Sequence, residues 1–407
     1  MSSSEEIRRI YTDPRLPGPR KRDRIFAYLY ALEEHGVPVA VEALIAADER
    51  YLAGYLAQYL ELTPGYAEQK TRAAEALREH EELVRSAARL VPWLPEKTLH
   101  GLIDDYLAAG DPDAPVASVI YNIGTFRPEL LRPVADQIHD DDIQLGLLSG
   151  APDHEAQQLL DQWEVTKDPH HLVQLAFMRT PFASQALLGV RDEFDGSPEW
   201  QTLLELSGAL PDSSLPAGHS PAYMGFVAEH GRSPHQVALP MSGEVPVCHL
   251  CETPAGHLLT LSAKDLPYEL TADPTFYWYT CGCEDIGSTT VRTEPGRTTV
   301  YYGPQGLADP DFSFAGGARS LVLELHPNQV GVTTRGLTGQ PPHQVGGLPQ
   351  WVRPEIHPRC PECSGVMRFL AFMNSAQMPF GRQLKLGGIV YCFWCDDCHV
   401  SSTKVQS

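Results

Sequence analysis

The first 247 residues of this 407-residue chain hold no cysteine, and all nine cysteines lie beyond them. An odd count confined to one part does not suit a secreted disulfide framework and points to reduced thiols and metal. No apolar run approaches the ~18 residues that cross a bilayer. The start, MSSSEEIRRIYTD, lacks the apolar centre of a signal peptide. The expectation is a cytoplasmic protein with no membrane partner. Basic residues are scarce: 31 Lys and Arg against 52 Asp and Glu give a net charge of −21. Nucleic acid is therefore a poor main partner, because phosphate binding draws on Lys and Arg. Catalytic signatures are missing too. There is no HExxH, no G-x-S-x-G, no P-loop and no G-x-G-x-x-G, and no enzymatic constellation is expected.

What is present is unevenly spread. Residues 1–240 carry 20 basic and 37 acidic side chains, and residues 101–200 alone hold 18 acids against 5 bases. The first 24 residues reverse the sign, with 7 bases against 4 acids, and read as a basic N-terminal arm over 1–24. From 25 to 210 apolar residues recur at helical spacing. Val41, Leu44, Ile45, Leu52, Tyr55, Leu56 and Tyr59 fall near one face, and Ala73, Leu77, Val84, Ala87 and Val91 near the next. Val119–Pro128 and Leu172–Pro181 echo each other, which suits a HEAT-like helical repeat and equally an irregular helical domain. His139-Asp140 and His170-His171 have metal-ligand residue types. Both read better as helix starts, behind Asp140-Asp141-Asp142 and Asp168-Pro169. The Pro, Ser and Gly of 211–221 read as a linker.

Past it, 222–407 is β-rich, with strand-like runs such as Arg297–Tyr302. The predicted fold class is α+β multidomain. Two cysteine quartets are set into the β-rich part. One is Cys248-x2-Cys251 with Cys281-x-Cys283; the other is Cys360-x2-Cys363 with Cys395-x2-Cys398. Two such turns, held together, complete a tetrahedral four-sulfur site. Thiolate softness favours zinc, or iron in a rubredoxin-like site, and two structural zinc ions are expected. A closed site of this kind has no open position for water or substrate. Cys392-x2-Cys395 is an alternative knuckle, with Cys392 otherwise a free core thiol. In both quartets an aromatic strand leads into the second knuckle: Phe276-Tyr277-Trp278-Tyr279 before Cys281, and Tyr391, Phe393 and Trp394 around Cys395. The parallel suggests one metal-bearing β-module present twice, over 222–340 and 341–407.

The C-terminal residues also carry a resemblance. Val345-Gly346-Gly347-Leu348-Pro349-Gln350-Trp351, Cys360-Pro361-Glu362-Cys363, Met367-Arg368-Phe369-Leu370 and Ile389-Val390-Tyr391-Cys392-Phe393-Trp394-Cys395-Asp396-Asp397-Cys398 resemble the bacterial YwqG-like domain of unknown function. That domain is similar to the metal-bearing module of the eukaryotic programmed-cell-death-protein family. The close match covers about 343–400. The family's Gln after the apolar strand is absent from Phe369-Leu370-Ala371-Phe372-Met373-Asn374. Gly346 and Gly347 are expected to allow an unusual turn with Trp351 beneath it. The resemblance implies a β-rich fold, structural zinc in some members, and binding of other proteins: a ribosomal protein in eukaryotic relatives, a toxin in some bacterial ones.

Together these features predict a zinc-stabilised scaffold whose acidic helical surface takes a basic protein partner, a toxin or a ribosomal protein. The alternative is an RNA- or ribosome-associated factor using the C-terminal zinc domain and the arginines of the arm. A solvated tail is the plainer account of that arm.

Overall fold

A computed structural model describes residues 2–194, 198–208, 222–229, 231–238, 245–248, 251–266, 268–278, 288–294, 297–302, 321–328, 343–353, 357–380, 383–384, 386 and 388–406. The chain is α+β, with helices first and an antiparallel sheet after them. It divides into two compact units: 1–149 with 326–341 and 377–383, and 150–325 with 342–376 and 384–407. The linker expected at 211–221 lies outside the described residues.

The first unit holds α1 (Ser3–Thr12), α2 (Gly18–Ala31), α3 (Gly36–Ile45), α4 (Arg50–Leu62), α5 (Ala67–Arg78), a 3-10 stretch Val84–Trp93, α6 (Glu96–Ala109), α7 (Ala117–Phe126), α8 (Pro128–Leu131) and α9 (Asp141–Leu147). Local chemistry sets several ends. Ser2 and Glu5 form a reciprocal capping box at the start of α1. Asp140 accepts the Ile143 amide at 3.0 Å at the start of α9. Gly110, at φ +61, stops α6. Residues of the basic arm are thus built into helices, with Ile7 and Ile10 buried. Arg9 pairs with Glu6 and Arg15 with Asp13. On α4 the buried set Leu52, Ala53, Leu56, Tyr59 and Leu60 recurs every three or four residues and faces the core.

The second unit contains α10 (Asp153–Thr166), α11 (Pro169–Met178), α12 (Pro181–Gly189) and α13 (Pro198–Leu206), with an eleven-stranded antiparallel sheet. Its strands are β1 (Tyr223–Glu229), β2 (Gln236–Val237), β3 (Gly256–Thr260), β4 (Thr275–Trp278), β5 (Ser288–Glu294), β6 (Arg297–Tyr302), β7 (Leu321–Leu325), β8 (His343–Val345) and β9 (Arg368–Met373). After a small separate ladder of β10 (Ala376–Gln377) and β11 (Gln383–Leu384) come β12 (Ile389–Cys395) and β13 (Val400–Gln406). The order is β4-β3-β2-β7-β1-β8-β9-β12-β13-β5-β6. From the central β1·β7 ladder outwards, β8, β9 and β12 on one side answer β2, β3 and β4 on the other. The sheet curls, so that the Thr403 hydroxyl on β13 donates to the Tyr277 carbonyl on β4 at 3.0 Å. Ile389-Val390-Tyr391-Cys392-Phe393-Trp394-Cys395 makes a strand because β-branched and aromatic side chains suit a pleated surface covered on both faces. All of Val390–Trp394 is buried.

Candidate metal centre

Four sulfurs converge at one end of the β9·β12 ladder. The Sγ atoms of Cys360, Cys363, Cys395 and Cys398 all lie within 4.8 Å of one another, and those of Cys363 and Cys395 are 3.7 Å apart. A tetrahedron of sulfurs around an ion at ~2.3 Å has edges of about 3.8 Å, so the set fits a metal ion. Cys360 is buried and Cys363 exposed, which puts the centre just under the surface.

Each knuckle is a tight turn closed by a residue in the left-handed region. Ser364 follows Cys363 at φ +61, and His399 follows Cys398 at φ +54. The reversal lets the Ser364 amide donate to the Cys360 carbonyl at 2.8 Å and the Cys360 amide to the Gly365 carbonyl at 2.8 Å. The Gly365 amide bonds the Cys363 sulfur and holds that thiol below the ordinary range, whereas burial pushes Cys395 up. Four thiolates this close repel one another unless a cation sits among them.

The surroundings hold the knuckles in place. Cys360 packs in a buried cluster with Met367, Phe369, Phe372, Tyr391, Phe393 and Val400. Trp351 lies over this cluster, its ring 4.6 Å from Tyr391 and 5.9 Å from Phe393. Its indole N–H donates to Glu205 on α13 at 3.0 Å, and Glu205 also bonds His357 Nε2 at 3.0 Å. A Cβ at Gly347 would lie 2.5 Å from the Ala222 Cβ, and the Trp351 ring packs on Tyr391 and Phe393 of β12. In the second knuckle the Asp396 carboxylate accepts the Thr271 amide at 3.0 Å and the Trp394 indole N–H at 2.9 Å. The loop between β3 and β4 is thereby tied to the Cys395–Cys398 knuckle.

Cys392 stands apart. It is fully buried mid-strand, its thiol pushed up by burial, and it is not among the four convergent sulfurs.

The first quartet is described only in part: Cys281 and Cys283 lie outside the described residues, as do His249 and Leu250 between Cys248 and Cys251. The residues on either side of that gap repeat the bonding at Cys360. Glu252 after Cys251 has φ +58. Its amide donates to the Cys248 carbonyl at 2.9 Å, the Cys248 amide to the Thr253 carbonyl at 2.9 Å, and the Ala255 amide to the Pro246 carbonyl at 2.7 Å. At Cys360 the third bond has its counterpart from Met367 to Pro358 at 2.8 Å. The bridge Val247–Pro254 answers Arg359–Val366. The match runs on into the ladders. β3·β4 skips Leu258, and β9·β12 skips Leu370. Cys248 heads its own buried cluster with Ala255, Tyr277 and Val291.

The sequence alone did not point to Glu205, His357, Asp396 or Thr271. Glu205, His357 and Thr271 meet their partners through the tertiary fold and belong to no spaced motif, and Asp396, though inside the Cys395-x2-Cys398 motif, gave no sign there that it would bond Thr271. The left-handed residue after each CxxC had one sequence signal, the small Ser364-Gly365 pair.

The chain is similar to a Salmonella typhimurium protein described as Uncharacterized protein YpfL. The two are 26% identical over 196 residues, which is 47% of this chain and 42% of that protein. The chain thus spans less than half the length of the curated relative it matches. No family model matches the chain, and no solved structure matches it significantly. No helix among the described residues is long and apolar enough to cross a membrane.

Proposed function

We propose that this protein is a zinc-stabilised scaffold with two structural tetrathiolate sites, whose acidic helical surface binds a basic protein partner such as a toxin or a ribosomal protein. The observation that carries the metal half is the agreement, bond for bond, between the described residues of 246–255 and their counterparts in 358–367. A turn with the backbone of a metal knuckle, two thiols and a buried cluster behind it is built for the same task. Cys281 and Cys283 are the residues that would complete that site. All-sulfur ligation favours zinc over hard cations and leaves no position for a reactant, so the metal supports folding.

The partner half rests on charge. The 18 acids against 5 bases over residues 101–200 give a field that draws a cationic surface and raises its encounter rate. The RNA-associated alternative draws less support, because Arg9 and Arg15 of the N-terminal segment already face Glu6 and Asp13. Its YwqG-like resemblance agrees with either reading.

The test is co-purification of the full chain from its own cells at low and high salt, with partners identified by mass spectrometry. A basic protein recovered at low salt and released at high salt is the expected result. Recovery of RNA in its place, or of no basic protein at all, contradicts the proposal.

A further inference from the structure

In a chain this acidic, a cleft lined by arginine and free of carboxylates stands out. One lies between α4 and the 3-10 stretch Val84–Trp93, with a volume of about 220 Å³. Arg50, Arg85 and Arg89 line it together with Tyr51 and Tyr55, and no lining residue is acidic. The charge of Arg89 is matched, because its guanidinium bonds Glu61 at 2.5 Å. Arg50 and Arg85 have no carboxylate partner among the described residues. Two permanently charged, fork-shaped donors therefore line a cleft that offers them no carboxylate.

The other lining residues narrow the ligand. Tyr51 and Tyr55 stand one helical turn apart on α4, and Tyr51 is 71% exposed, an unusual position for so large an apolar ring. Gly54 sits between them, and a Cβ there would meet nothing within 4 Å, so the middle of the cleft is open. Arginine forks recognise phosphate oxygens bidentately, and exposed tyrosine rings stack on planar groups. The volume falls below the ~300–1,000 Å³ of sites that enclose a whole drug-sized ligand. It has room for a phosphate and part of a ring, not for a run of stacked bases.

We propose that this cleft binds a mononucleotide, with its phosphate against Arg50 and Arg85 and its base against Tyr51 and Tyr55. No cysteine lines the cleft, and binding there does not depend on the metal reading.

Isothermal titration of the full chain with adenosine and guanosine monophosphate, and with inorganic phosphate as the control, tests this. One nucleotide per chain should bind at low salt, and inorganic phosphate about tenfold more weakly. Arg50→Ala and Arg85→Ala should each weaken nucleotide binding about tenfold or more. Gly54→Leu fills open space with a better helix former, so it should abolish binding while leaving the unfolding transition in place. No binding of either nucleotide, or binding that survives Gly54→Leu, overturns the site. Equal affinity for inorganic phosphate and nucleotide overturns the assignment of the tyrosines to a base.

Discussion

Thr290 and Ser402 share a hydrogen bond of 3.0 Å across the β5·β13 ladder, and they stand 112 residues apart. The same interval separates Cys248 from Cys360, Cys251 from Cys363, and the skipped Leu258 from Leu370. In the β5·β13 ladder Arg292 faces Val400 and Ser288 faces Lys404; adding the interval to Arg292 gives Lys404, and subtracting it from Val400 gives Ser288. The two halves of the sheet are thus related by an approximate two-fold axis that passes between Thr290 and Ser402. Both hydroxyls are buried, and each satisfies the other. Replacing Thr290 by Val and Ser402 by Ala removes donor and acceptor together without adding bulk and should cost little, whereas Ser402→Ala alone strands the Thr290 hydroxyl and should cost about 1–3 kcal/mol. Chemical denaturation of the single and double variants checks this. A single variant as stable as the double contradicts it.

The Gly346-Gly347 turn can be tested through the second glycine. Gly347 has φ +71, and a Cβ there would lie 2.5 Å from the Ala222 Cβ. Gly347→Ala therefore meets both backbone strain and a clash, and should lower stability by about 1–3 kcal/mol. A loss below about 0.5 kcal/mol in urea unfolding would show that the turn relaxes freely.

Glu205 gathers two donors, the Trp351 indole and His357 Nε2. Glu205→Ala leaves both without an acceptor and should destabilise the second unit by about 1–3 kcal/mol. Tryptophan fluorescence should shift as well, because the Trp351 ring loses the contact that fixes it on β12. Unchanged emission and stability would show that α13 does not hold this ring.

Lys70 gives a prediction with a definite sign. Its side chain is buried, bonds the Thr63 carbonyl at 2.8 Å, and lies 3.5 Å from the centre of the Trp93 ring. Burial pushes its pKa down to about 7, against about 10.4 in the unfolded chain. Between those values the unfolded chain holds a proton that the folded chain has released, so this group's contribution to stability rises with pH. Lys70→Met should flatten the rise between pH 7 and 9.5 and make the protein more stable at pH 7. Parallel pH profiles for the two proteins would contradict the assignment.

The sequence made some of this legible and hid the rest for physical reasons. Asp140 and Asp168 could be read as helix starts because a cap is local: the side chain bonds an amide two or three residues on. The second quartet was legible from spacing alone. The interval of 112 was present in the cysteines, but the residues between do not advertise it, since Gly256 stands where Arg368 does and His257 where Phe369 does. What repeats is the hydrogen bonding of the backbone, which tolerates such exchanges. The partnership of Trp351 with Glu205 spans 146 residues, and the arginine cleft joins residues from separate helical segments. Neither leaves a pattern in the chain.

The most direct test of the account is the metal content of the purified full chain by elemental analysis, alongside Cys251→Ser and Cys363→Ser. Two zinc ions per chain are expected in the parent protein and one in each variant. One ion in the parent protein, unchanged in Cys251→Ser, would contradict the claim that the knuckle at Cys248 holds a metal as the knuckle at Cys360 does.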